Sequence, residues 1–279
     1  MSAVSVAFPS QAILGECPVW SRSRNRLLWV DTLAPTLNMF DPVANKNVAL
    51  PMPSPIGFVA ENFAGELIVG IGCDIGRVDD AGSVSIVATA PHARAGFRLN
   101  DARFDSQGRL WVGLMDEELS EESGYLYCFD PDGTWHECDR GFTLVNGLDW
   151  SRDERTLYVT DSRKGNIYAY DYDPASGEIG DRQLLVYIDP NKGKPDGLTV
   201  DFEGFLLSVL FDGGAIIRID PDGNIYSTIE LPVPRPTSCA YSSDGRQLYV
   251  TSARLGLTDD ELEAFPISGA LLRLDCGKI

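Results

Sequence analysis

Gly108-Arg-Leu-Trp-Val-Gly113 is a glycine-closed turn running straight into a short apolar strand, and the same phrase returns along the whole chain. Counting Arg109-Leu-Trp-Val112 itself, there are six such strands. The others are Leu27-Leu-Trp-Val30, Glu66-Leu-Ile-Val69, Thr156-Leu-Tyr-Val159, Phe205-Leu-Leu-Ser208 and Gln247-Leu-Tyr-Val250. The spacing repeats as well: Gly65 to Gly108 is 43 positions and Gly204 to Gly245 is 41. A further strand follows in most units and stops at an Asp-Pro turn, as in Met39-Phe-Asp-Pro42, Tyr127-Cys-Phe-Asp-Pro131, Ala169-Tyr-Asp-Tyr-Asp-Pro174 and Ile217-Arg-Ile-Asp-Pro221. Proline presets the turn and has no N–H for a ladder, so the strand ends there.

Several short strands per unit of roughly 40–50 residues is the pattern of β-propeller blades. A β-sandwich, the main rival, requires no six equivalent units. The expectation is an all-β, six-bladed β-propeller with a metal site in its central channel, one domain over residues 1–279. The last unit ends at Arg273-Leu-Asp-Cys276 without an outermost strand, and Val4-Ser-Val-Ala-Phe8 is expected to supply it and close the ring. The one helical candidate is Thr258–Ala264, where Thr258 and Glu261 have capping-box spacing.

The chain carries 23 Lys and Arg against 41 Asp and Glu, a formal net charge of −18. A surface of that sign repels nucleic acid and anionic membrane, so neither is expected as a partner. The six cysteines (Cys17, Cys73, Cys128, Cys138, Cys239 and Cys276) stand far apart with no Cys-x-x-Cys pair, unlike a disulfide framework. The segment Met1 to Pro9 lacks the basic stretch and long apolar run of a leader peptide. A cytoplasmic protein with reduced thiols, monomeric or a small homo-oligomer, is expected.

There is no Gly-x-Ser-x-Gly elbow, no phosphate-binding loop and no His-Glu-x-x-His. Gly70-Ile-Gly72 opens like a dinucleotide fingerprint, but Ile75 takes the third glycine's place, and the segment reads as a strand. Asp220-Pro-Asp-Gly-Asn224 has Ile225 where a calcium loop needs glycine, so it reads as a turn. The positive signal lies in the segments that open the units. Gly15-Glu-Cys-Pro-Val-Trp20, Arg98-Leu-Asn-Asp101, Val145-Asn-Gly-Leu148 and Lys194-Pro-Asp-Gly-Leu198 place Glu16, Asn100, Asn146 and Asp196 at similar points of four units. In a propeller the first strands line the channel, so these oxygen donors converge. Asn-Gly and Asp-Gly are also turn dipeptides, but four donors at matching positions favour one hard-cation site. Calcium, magnesium or manganese suit it, with zinc or iron as alternatives. Units two and six offer only Ser54-Pro-Ile-Gly57 and Pro236-Thr-Ser-Cys239 there, so the site is expected to be lopsided.

These segments resemble the SMP-30/gluconolactonase family of sugar-acid lactonases over essentially the whole chain. The resemblance rests on Leu14-Gly-Glu-Cys-Pro-Val-Trp20, Arg98-Leu-Asn-Asp101 with Gly108-Arg-Leu-Trp-Val-Gly113, Asn146-Gly147, Lys194-Pro-Asp-Gly197 and Thr251-Ser-Ala-Arg-Leu-Gly-Leu-Thr258. It implies a six-bladed propeller with one divalent metal at the channel mouth. Carried over by motif, Glu16, Asn146 and Asp196 match the metal ligands. Arg98 and Asn100 match substrate-contacting positions, as does Glu118 in Leu114-Met-Asp-Glu-Glu118, with Glu117 the alternative one residue away. Cys17 departs from the family pattern, placing a thiol beside the ligand Glu16.

The implied reaction is hydrolysis of a sugar (aldono) lactone to the aldonic acid. The metal would polarise the lactone carbonyl and Asp196 would serve as the general base. Residues 117–123 are expected to form a lip over the mouth. Two other classes fit the same ligands: a non-catalytic calcium-binding propeller, which has no use for Arg98 and Asn100, and a metal-dependent phosphotriesterase.

Overall fold

The structure, a computed structural model, describes residues 4–278 and arranges them as six four-stranded antiparallel sheets around a channel. After β1 (Val4–Phe8), blade one is β2 (Gly15–Ser21), β3 (Arg26–Asp31), β4 (Thr36–Asp41) and β5 (Lys46–Pro51). Blade two is β6 (Ile56–Glu61), β7 (Leu67–Ile71), β8 (Asp74–Val78) and β9 (Val84–Thr89). Blade three is β10 (Phe97–Phe104), β11 (Leu110–Asp116), β12 (Gly124–Phe129) and β13 (Trp135–Phe142). Blade four is β14 (Val145–Trp150), β15 (Thr156–Asp161), β16 (Asn166–Asp171) and β17 (Gln183–Tyr187). Blade five is β18 (Lys194–Val200), β19 (Leu206–Phe211), β20 (Ala215–Ile219) and β21 (Ile225–Glu230). Blade six is β22 (Pro236–Tyr241), β23 (Gln247–Ser252) and β24 (Leu271–Asp275), with β1 as its fourth strand.

The innermost strands β2, β6, β10, β14, β18 and β22 each touch the next, and β22 touches β2. Closure runs through β1, which pairs antiparallel with β24 from Val4↔Leu274 to Phe8↔Leu271, as the sequence led us to expect. The two ends of the chain are thereby held in one sheet, which leaves no open edge between first and last blades.

The six repeated apolar strands are the second strands of the blades, where both faces are covered by neighbouring blades. That is why they read as unbroken apolar runs rather than alternating ones. Leu27, Leu28, Val30, Leu110, Trp111, Val112, Leu157, Val159, Leu248 and Val250 are all buried. Between blades three and four, Trp111 meets Trp150 and Tyr172 edge-on, with centroids 6.1 and 5.8 Å away. Outermost strands such as β5 and β21 are largely exposed.

Turns away from the mouth are built alike. In the Asp105–Arg109 turn, Asp105 Oδ1 accepts from the backbone N–H groups of Gln107 and Arg109, and Gly108 takes φ +83°, a conformation that favours glycine. Asp220–Asn224 is built the same way, a turn as read from sequence. Asp105 does more: its Oδ2 accepts from Arg109 Nε at 2.6 Å, Trp111 Nε1 at 3.1 Å and Tyr172 Oη at 2.8 Å, tying blade three to blade four. Burial alone would raise its pKa, but the bonds from Arg109 and Tyr172 outweigh that and hold the carboxyl below its usual range. Asp105→Asn leaves the Arg109 guanidinium without a counter-charge and is expected to destabilise the fold by about 3 kcal/mol in urea unfolding. An unchanged midpoint would mean the latch carries no stability.

The short helix α1 (Asp259–Ala264) is capped as expected, with Thr258 Oγ1 accepting from Glu261 N–H and Glu261 Oε2 accepting from Thr258 N–H. Among the described residues no helix is long and apolar enough to cross a membrane. All six cysteines are free thiols.

Candidate active site

All six innermost strands break register at one place. The breaks fall between Glu16 and Val19, Ile56 and Val59, Leu99 and Ala102, Val145 and Leu148, Pro195 and Leu198, and Pro236 and Cys239. Such a bulge adds a residue to one strand and re-aims its side chains. The break in blade one comes one residue later than in the others, after Glu16 itself. Counted instead from the rim, where Leu14, Pro55, Leu144 and Arg235 accept from Thr32, Gly72, Ser162 and Ala253, the six blades present Glu16, Gly57, Asn100, Asn146, Asp196 and Thr237 two residues in. At the next they present Cys17, Phe58, Asp101, Gly147, Gly197 and Ser238. Glu16, Asn100, Asn146 and Asp196 thus occupy equivalent places in four blades, and the remaining two blades bring no acid or amide.

The Asn-Gly and Asp-Gly pairs are strand residues, not turns. A Cβ on Gly147 would fall on the Asp196–Leu198 backbone, and one on Gly197 would strike Ser238. Glycine there lets the next inner strand approach closely, which brings the ligands of adjacent blades together. Cys17 fills the same place with φ +45°, a left-handed conformation uncommon for a side chain. Its Sγ lies 3.3 Å from Asp101 Oδ1 and 3.7 Å from Val59 O, so the thiol is engaged in the layer beneath Glu16.

Two buried carboxylates fix the strand entries. Asp31 accepts from the N–H groups of Ile13 and Leu14, just ahead of Glu16. Asp161 does the same for Thr143 and Leu144, just ahead of Asn146. Asn146 Nδ2 donates to Asp196 Oδ1 and to Ser162 Oγ at 3.1 Å, which leaves the amide oxygen as the atom it offers to a cation. Arg98 donates to Asn100 Oδ1 at 2.6 Å, and Asn100 Nδ2 donates to Val145 O at 2.9 Å, so both ends of that amide are committed.

The electrostatics are those of an acid cluster with one guanidinium. Burial, then repulsion from Asp101, pushes Glu16 up to about 8 against the opposing pull of Arg98. Burial, then Glu16 and Asp101, pushes Asp196 well above the usual carboxylate range. Burial likewise raises Asp101, which the sequence reading passed over. Its signal was available: Asp101 is an acid at the position where Gly147 and Gly197 stand. The Arg98 side chain is 13% exposed; burial lowers its pKa while Glu16, Glu117 and Asp196 raise it.

At the rim, Arg98 Nε lies 3.8 Å from Glu117 Oε1. Glu118 is exposed, with its N–H on Asp116 Oδ1, so the structure brings Glu117 rather than Glu118 to Arg98. A cavity of about 30 Å³ is lined by Cys17, Pro18, Asp101, Arg103 and Ser238. A groove of about 550 Å³ at the Arg24, Gly65 and Asp79 turns lies at the opposite ends of blades one and two, remote from these residues. Among the described residues no three His, Cys, Asp or Glu side chains form a ready metal cluster. The set read from sequence has only two acids, its third member being an amide.

Comparison with known proteins bears on the same residues. The family model of the SMP-30/gluconolactonase/LRE-like region matches residues 14–254. Regucalcin of Xenopus laevis is 33% identical over 272 residues, covering 94% of this chain and 90% of its own. YvrE of Bacillus subtilis, whose name assigns it provisionally as a sugar lactone lactonase, is 32% identical over 266 residues, covering 94% and 91%. The structure of a regucalcin from Agrobacterium tumefaciens, described as a calcium-binding protein, superposes with a TM-score of 0.92 at 25% identity, covering 96% and 92%.

Proposed function

The chain belongs to the SMP-30/gluconolactonase/LRE-like family, and from that premise we propose that it hydrolyses a sugar lactone with a divalent cation held by Glu16, Asn146 and Asp196. The observation that carries the reading is the buried, mutually repelling set of Glu16, Asp196 and Asp101, with the Arg98–Asn100 pair beside it.

The donor set fits a hard divalent cation. Buried carboxylates outnumber the single buried guanidinium, their pKa values are raised in mutual repulsion, and an amide oxygen completes an all-oxygen set. With its thiol on Asp101, Cys17 adds no sulfur donor. When bound, the cation supplies stabilisation of charge developing on the lactone carbonyl oxygen. Asp196 accepts from Asn146 through Oδ1, which leaves Oδ2 to take the proton of an attacking water. Arg98 donates to the ring oxygen or hydroxyls of the sugar. Asn100, both of whose polar ends are engaged, aims Arg98 through Oδ1. Glu118 and its neighbour Glu117 accept from sugar hydroxyls at the rim.

The raised carboxyls make a prediction with a definite sign. Glu16 and Asp196 have folded pKa values above their unfolded ones, so their contribution to stability is complete below the ordinary carboxylate range. It is lost as pH rises through the folded value, about 8 for Glu16. Chelator-treated protein is therefore expected to melt at progressively lower temperature from about pH 5 to about pH 9. Calcium or manganese should restore the melting temperature, more at the alkaline end, because cation and protons compete for the same oxygens. A flat profile with no cation shift would remove the cation from this account.

The reading itself is tested by proton release from a panel of five- and six-membered aldonolactones, each with calcium, magnesium, manganese or zinc resupplied. Turnover of at least one lactone that depends on the cation is expected. Cation binding with no lactone turned over would favour the non-catalytic calcium-binding propeller, and turnover confined to phosphotriesters would favour that class instead.

A further inference from the structure

Two residues ahead of Glu16, Gly57, Asn100, Asn146, Asp196 and Thr237 the inner strands reach the rim, and there the six blades carry Leu14, Pro55, Arg98, Leu144, Lys194 and Arg235. Their equivalence is visible in the backbone. The carbonyls of Leu14, Pro55, Leu144 and Arg235 accept from the N–H groups of Thr32, Gly72, Ser162 and Ala253, while Arg98 and Lys194 pair with Met115 and Phe211. In a chain with 41 acids and 23 bases, this ring holds three cations and no acid.

Lys194 and Arg235 belong to adjacent blades and act as a pair. Lys194 Nζ donates to Asp212 Oδ2 at 2.7 Å and Arg235 Nε to Asp212 Oδ1 at 2.6 Å. Both also lie over the Phe211 ring, 5.8 and 5.3 Å from its centroid. Asp212 is held between them with φ +61°, in the left-handed region that favours glycine. Asp212 is thus the carboxylate that bonds both cations, one through each of its oxygens. Glu261, hydrogen-bonded to Thr258 at the start of helix α1, is near enough for its charge to act on Arg235 as well. Lys194 opens the strand that carries Asp196 two residues further on.

We propose that the preferred lactone carries a second, anionic group at the end of its chain, bound by Lys194 and Arg235. The proposal rests on the lactonase reading and names its substrate class. Two strand residues span about 6.6 Å, the reach from a lactone carbonyl at Asp196 to the far end of a six-carbon sugar. Arg235 gives Nη1 to the Leu255 carbonyl, so a carboxylate or phosphate there meets Arg235 Nη2 and the Lys194 ammonium hydrogens that Asp212 does not occupy. Arg98 remains free to orient the ring.

The experiment compares three lactones of one sugar: the neutral aldonolactone, the monolactone of the corresponding diacid, and the 6-phospho aldonolactone. Each is run on the wild type and on Lys194→Ala, Lys194→Arg and Arg235→Gln. The wild type is expected to favour one anionic lactone over the neutral one by about tenfold in kcat/KM, through KM. Whichever anionic lactone is favoured identifies carboxylate or phosphate. Lys194→Ala and Arg235→Gln should shrink the ratio toward one, and Lys194→Arg should keep most of it. Equal rates on all three lactones, or a preference that survives Lys194→Ala, would overturn the proposal. If no lactone is turned over, the activity reading falls, and the rim is judged by calorimetric titration with the open-chain diacid and monoacid. Tighter diacid binding by the wild type than by Lys194→Ala supports the anion site, and equal binding of the two acids overturns it.

Discussion

Asp196→Ala is expected to abolish lactone turnover, by about a thousandfold or more, and to weaken cation binding in the same protein. Both losses follow from one side chain, because Asp196 is at once a proposed ligand and the proposed base. The substitution also removes the partner of the Asn146 amide and one of the charges that raise the pKa of Arg98. Arg98→Ala should behave differently. It leaves Glu16, Asn146 and Asp196 in place, so cation affinity should persist while KM rises. The contrast between the two variants is read by calorimetric cation titration alongside steady-state kinetics. Equal loss of cation affinity in both would mean that Arg98 is part of the cation site's architecture rather than a substrate contact.

Deletion of residues 1–8 is expected to lower the melting temperature by roughly 10 °C or more, since each 1 kcal/mol is worth only a few degrees in a protein of this size. The strand removed is the outer partner of β24 and contributes the buried Ala7 to the core beside Leu27 and Leu271. Its loss would bare the edge of β24 and free the end of the chain from the ring. Unchanged thermal stability would mean that the ring is held by the contacts of β22 with β2 alone.

Much of this architecture was legible because it repeats. The second strands are buried on both faces, so Leu110-Trp-Val112 and its counterparts carry the same apolar signature six times. The Asp-Pro turns and the Thr258–Glu261 cap are local chemistry, readable within a few residues. The closing strand was legible for a different reason: the last unit lacked a partner and Val4–Phe8 had none of its own.

What escaped was the bulge in each inner strand, because a bulge is a property of pairing and leaves no periodic mark in one strand alone. Taken singly, the Asn-Gly and Asp-Gly pairs look like turn dipeptides for that reason, and only their matching places in the repeat point elsewhere. Their glycines serve the close approach of neighbouring blades, as between Gly197 and Ser238. Asn146 and Asp196, 50 residues apart, meet only once the blades are stacked. Asp101 was hidden behind Asn100, since only the bulge shows that two successive residues both face the channel. Glu117 and Glu118 could not be told apart in an acidic loop, whereas the ion pair with Arg98 separates them.

The most direct measurement is proton release from the best aldonolactone of the panel, followed as the chelator-treated protein is resupplied with cation, with Asp196→Ala run in parallel. The account predicts that release stops on stripping, returns in the wild type as cation is added, and returns in no condition in Asp196→Ala. Full release from stripped Asp196→Ala would contradict it.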